Sequence, residues 1–203
     1  MSTFMAFASV DLRSAADADA FLAALRDAVA ANRDADRPLQ AHLDGARATL
    51  HADYGNIWLG HVLARVAENT GVVRRAVLAL DHDEYGAEHV VLDGTVGGLR
   101  RVQHVYVFPH GEPDEDLGLT IADVPAHPDV PAGDNGMLDG PAAWAVAAAL
   151  YDVPVARLAA AARRQETAYE HLGAVFSPFE GWWDALGAPY AGGPGGHVVT
   201  IGG

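Results

Sequence analysis

The chain contains no cysteine and no lysine; all 13 of its basic residues are arginine. Without a thiol there is no thiol nucleophile, no thiolate metal site and no disulfide. Without a lysine amine, Schiff-base chemistry, pyridoxal phosphate anchoring and the phosphate-cradling lysine of a P-loop are excluded. Serine is scarce too: Ser2, Ser9, Ser14 and Ser177 are the only ones, and none stands in Gly-x-Ser-x-Gly. Apolar runs of 18 residues are absent, and the opening MSTFMAFASVDLRSAADADAF has no basic leader. Neither a membrane-spanning helix nor a secretory signal is therefore expected. The lack of cysteine fits a cytoplasmic protein.

Positive charge is also in short supply. Against the 13 arginines stand 27 acidic residues, giving −14 with histidine neutral. Such a balance repels phosphate backbones and anionic lipid, so nucleic acid and membrane are disfavoured as partners. It favours a basic protein or a cation. The acidity is uneven: Glu112, Asp114, Glu115, Asp116, Asp123, Asp129, Asp134 and Asp139 follow one another with no arginine between Arg101 and Arg157.

What is present suffices for a core. At 203 residues, 50% hydrophobic and 20% charged, the chain reads as one α+β domain spanning 1–203. Residues 3–12 alternate loosely and predict an opening strand. Ser14 and Asp17 lead into Ala18, Phe21, Leu22, Leu25 and Val29, which predicts an amphipathic helix over 15–32. Pro38 followed by Leu39, Leu43, Ala46 and Leu50 predicts a second helix, weakened by Gly45. Residues 57–69 read as a helix between Asn56 and Gly71, with a strand as the alternative. From Val72 to Phe108, β-branched runs separated by turn residues predict a three-stranded antiparallel meander, packed with the N-terminal and C-terminal helices. Residues 109–139 form a long, acidic, proline-rich loop with a short candidate strand at 117–122, and 140–190 is a C-terminal helical part. Helices are expected at 141–151 and 154–171, and a last strand at His197-Val198-Val199-Thr200-Ile201.

Several constellations invite a chemical reading. Asp81, His82, Asp83 and Glu84 share the first hairpin tip, with His89 on the returning strand; with His104 they are candidates for a divalent cation or a general base. Alternation along a strand argues against a compact site there. The ten histidines match no zinc signature, and no other cofactor is expected. The glycine runs at 94–98 and 192–196 fail as phosphate loops, since neither precedes a helix or a lysine. The helix pair at 141–171, with Arg157, Arg163 and Arg164, faintly resembles a helix-turn-helix, but the chain's charge favours a packed helical hairpin. Trp182 and Trp183 stand in an aromatic stretch that either closes a core or anchors a partner.

No catalytic motif supports an enzyme. The leading expectation is a protein-binding module of the immunity or antitoxin kind, which meets a basic partner through Asp114, Glu115, Asp116 and Asp123, with Trp182 and Trp183 as anchors. The alternative is a small enzyme or ligand-binding protein with a His/carboxylate site between sheet and helices. A third reading is a homo-oligomerising module that associates through 176–190.

Overall fold

The computed structural model describes residues 5–31, 38–53, 56–81, 87–95, 99–105, 140–168, 177–188 and 197–202. Strand β1 (Met5–Leu12) leads through a short 3₁₀ turn (Ala15–Asp17) into helix α1 (Ala18–Ala30). A hairpin of β2 (Leu39–Asp44) and β3 (Arg47–Asp53) precedes α2 (Asn56–Thr70). Then come β4 (Val73–Asp81), β5 (Ala87–Asp93) and β6 (Leu99–Val105). The last elements are α3 (Gly140–Tyr151), α4 (Val155–Ala168), α5 (Ser177–Leu186) and β7 (His197–Ile201).

Among the described residues, seven strands join one sheet in the order β6-β5-β4-β1-β3-β2-β7, each pairing antiparallel. The first half, β1-α1-β2-β3-α2-β4, places its strands as β4-β1-β3-β2 with both helices on one face. That is the strand order of the ferredoxin-like split β-α-β arrangement. Such a topology hosts many functions and by itself assigns none.

Alternation decides which side chains meet which helices. Ala6, Ala8, Val10 and Leu12 of β1, Ala48, Leu50 and Ala52 of β3, and Ala76 and Leu78 of β4 pack beneath α1 and α2. Helix α1 supplies Phe21, Leu22, Leu25, Ala28 and Val29, a stripe at helical spacing. Val77, Ala79 and Val91 turn to the opposite face and meet α3, α4 and α5. The molecule is thus three layers, helices on both sides of a single antiparallel sheet, and the C-terminal helices share a core with the meander strands.

The opening strand, the helix at 56–70, the meander, the C-terminal helices and the last strand stand where the sequence places them. The helix expected from Pro38 does not form. Leu39, Leu43, Ala46 and Leu50 fit helical spacing, but Leu39 and Ala41, then Ala48, Leu50 and Ala52, fit a two-residue period equally well and are all buried. Gly45, at φ 59°, supplies the left-handed residue that lets the chain reverse. Pairing of β2 with both β3 and β7 then outweighs the local helical pattern.

Trp182 and Trp183 close the core, one of the two places the sequence allows them. Both side chains are fully buried, although neighbours on a helix point about 100° apart. Helix α5 packs against α3 and α4, so a wide arc of its surface is covered.

Among the described residues, none of the five α-helices has a basic residue in its last turn. The negative end of a helix dipole is stabilised by a nearby cation, and three helices receive one from elsewhere in the chain. Arg13 Nε donates to the Gly71 carbonyl beyond α2 at 2.5 Å, and Arg75 Nη1 to the Leu150 carbonyl of α3 at 2.8 Å. Arg157 Nη2 donates to the Asp184 carbonyl of α5 at 2.6 Å.

Candidate functional site

The site begins with an irregularity in β4. Strand β1 pairs with β4 from Ala6↔Leu80 to Asp11↔Arg75, and the next pair is Leu12↔Val73. Arg74 is the extra residue of a β-bulge, a device that re-aims side chains. Val73 and Ala76, three residues apart, both enter the core beneath α1 and α2. The two arginines between them line a cleft under α3 on the other side of the sheet.

Arg75 is fixed there from three directions. Its Nε donates to Asp11 Oδ2 at 2.7 Å, its Nη1 to the Leu150 carbonyl, and its guanidinium lies 4.3 Å from the centre of the Tyr151 ring. Arg47 Nε donates to the other Asp11 oxygen at 2.8 Å. Burial alone would raise the Asp11 carboxyl's pKa; the hydrogen bonds and charges of Arg75 and Arg47 outweigh it and hold the group below its ordinary value. Tyr151 is buried, and burial, with Asp11 nearby, raises its phenol far above the usual range. The hydroxyl is therefore held neutral through the range in which an ordinary phenol ionises.

The turn after β5 closes the second wall. Asp93 Oδ1 accepts from the Thr95 amide at 2.8 Å and from Thr95 Oγ1 at 2.6 Å, a side-chain-closed turn. Gly94 N–H donates to the Arg74 carbonyl at 3.1 Å. A Cβ on Gly94 would stand 2.0 Å from the Val73 carbonyl oxygen, so only glycine lets the turn lie this close to the bulge. Asp93 and Thr95 are thereby placed beside the two arginines.

Between these walls and α3 lies a cleft of about 430 Å³, lined by Arg74, Arg75, Asp93 and Thr95 on the polar side. Val91, Val146, Ala149 and Leu150 make its apolar wall. The volume falls within the range of small-molecule sites. Arg74 is exposed and has no ion-pair partner among the described residues. Three arginines (47, 74, 75) against two carboxylates (Asp11, Asp93) leave this corner at +1, in a chain whose total is −14.

Among the described residues, none of those singled out by sequence lines this cleft. His82 and Asp83, and the partner-binding candidates Asp114, Glu115, Asp116 and Asp123, lie outside the described residues. Asp81 ends β4, opposite Ala87. His89 pairs with Ala79 and Gln103, whereas His104 pairs with Glu88, so the two histidines are not cross-strand partners. Among the described residues no group of three or more His, Asp or Glu is placed to hold a metal ion. Trp182 and Trp183 are buried and pack in the core with α3 and α4. Arg157 of the helix-turn-helix reading is bonded to the Asp184 carbonyl. Among the described residues no helix is long and apolar enough to cross a membrane.

Arg74 and Arg75 carried a signal that period-2 reading passes over. Two consecutive arginines interrupt a strand that is otherwise apolar up to its terminal Asp81, and Val73 and Ala76 around them are one residue out of alternation. That combination marks a bulge.

Compared with known proteins, the chain matches no family model, no curated protein and no solved structure.

Proposed function

We propose that this chain is a binding protein whose ligand site is the cleft between β4–β5 and α3. The observation that carries the reading is Arg74, an exposed guanidinium beside a second arginine locked in place at a partly apolar cleft. Convergent polar groups on an apolar pocket are the usual form of a small-molecule site. Among the described lining residues, Thr95 Oγ1 and Asp93 Oδ1 are bonded to each other within the turn, which supports binding over catalysis. The test is native purification from the host, extraction, and mass analysis of any bound small molecule, with Ala149→Trp filling the cleft as the control. A small molecule lost in Ala149→Trp supports the reading. One retained unchanged in that variant, or none in either protein, overturns it.

A second reading is favoured by the charge distribution: a module of the immunity or antitoxin kind that meets a basic protein through Asp114, Glu115, Asp116 and Asp123. Eight carboxylates without an arginine between 109 and 139 support it. So does the formal charge of −14, with 27 acidic residues against 13 arginines. Clustered carboxylates speed association with a basic surface. Neutralising Asp114, Glu115 and Asp116 together should slow capture of a basic partner at low salt; an unchanged on-rate and salt dependence contradicts it.

A further inference from the structure

Resting on the cleft reading above, we infer that the ligand is an amphipathic anion: one carboxylate, phosphate or sulfonate group on a flat apolar body. The two halves of that description come from the two walls. On the polar wall, Arg74 is exposed and carries no ion pair among the described residues. A guanidinium has five N–H groups in a planar fork suited to oxyanions. Arg75 spends one N–H on Asp11 and one on the Leu150 carbonyl, which leaves three for a ligand from a side chain that cannot swing away.

Both carboxylates nearby are already engaged. Asp11 is bonded to two arginines, and Asp93 is turned onto its own Thr95 amide and hydroxyl. An anion entering at Arg74 thus meets fixed positive charge at a corner of +1. On the apolar wall, Val146, Ala149 and Leu150 offer contact surface to a ring or short chain. The burial of that surface would supply binding energy that a small inorganic anion lacks.

Two probes that differ only in the anion test this directly. 1-Anilinonaphthalene-8-sulfonate carries the sulfonate; N-phenyl-1-naphthylamine is the same body without it. Fluorescence titrations should show the sulfonate binding about tenfold or more tighter than the neutral probe. Arg74→Gln should remove that difference while leaving the unfolding midpoint in place, and Ala149→Trp should weaken both probes. If Ala149→Trp weakens both but the probes bind alike and Arg74→Gln changes nothing, the cleft stands and the anion inference fails. If Ala149→Trp leaves both titrations unchanged, the cleft reading fails with it.

Discussion

Asp11 and Arg75 face each other across the β1–β4 pair and are joined by an Nε–H···Oδ2 bond of 2.7 Å, at the last pair before the bulge. That bond fixes the guanidinium that also reaches the last turn of α3. Asp11→Ala leaves Arg75, whose side chain is 14% exposed, without its carboxylate. The expected loss is about 2–4 kcal/mol, read as a lower urea midpoint at neutral pH.

The same pair sets an acid dependence. Because the folded-state pKa of Asp11 is depressed, the unfolded chain binds more protons as pH falls through the ordinary carboxylate range. Its contribution is fully present above about pH 4 and lost as pH drops through the folded value. Wild type should therefore lose more stability between pH 5 and pH 3 than Asp11→Asn does. Parallel losses in the two proteins would contradict this.

Tyr151 predicts the opposite limb. A phenol whose folded pKa is raised gives stability that is present below about pH 10 and lost as pH rises above it. Among the six tyrosines, Tyr151 should be missing from the ultraviolet phenolate titration of the folded protein. Tyr151→Phe should leave the amplitude of that titration unchanged below the alkaline unfolding transition; a lowered amplitude would show that Tyr151 ionises in the fold.

Two glycines should respond in opposite directions to alanine. Gly94→Ala drives a methyl into the Val73 carbonyl and is expected to destabilise by about 2 kcal/mol or more. Gly181, inside α5, has nothing within 4 Å of the added carbon. Gly181→Ala should stabilise by about 0.5–1 kcal/mol through helix propensity alone. Urea unfolding of the pair checks both signs.

Trp183→Ala should cost about 3–5 kcal/mol, as expected for an aromatic removed from a closed core. An unaltered urea midpoint would return this side chain to the surface.

Most elements were legible because their signals are local. The Phe21-Leu22-Leu25-Val29 stripe needs only its own helix, and the runs around Leu78, Val90 and Val105 need only turns between them. The hairpin at 39–53 was not, because Leu39 and Leu50 suit either period, and the choice depends on β7, far along the chain. The cleft was hidden for the same reason. Arg75 becomes a site residue only when Asp11 and Leu150 are brought to it, contacts separated by 64 and 75 residues. Trp182 and Trp183 left core and partner surface both open in the sequence, because adjacency argues for an exposed side; packing of α5 against two helices buries both.

The central claim is that the cleft beneath α3 is where this protein binds its ligand, and amide shift mapping tests it most directly. Titrating ¹⁵N-labelled protein with 1-anilinonaphthalene-8-sulfonate should move the amides of Arg74, Val91, Asp93–Thr95 and Val146–Leu150, together with the Arg74 Nε–H. Shifts that fall on other parts of the sheet, or that persist at the same residues and concentrations in Ala149→Trp, would contradict it.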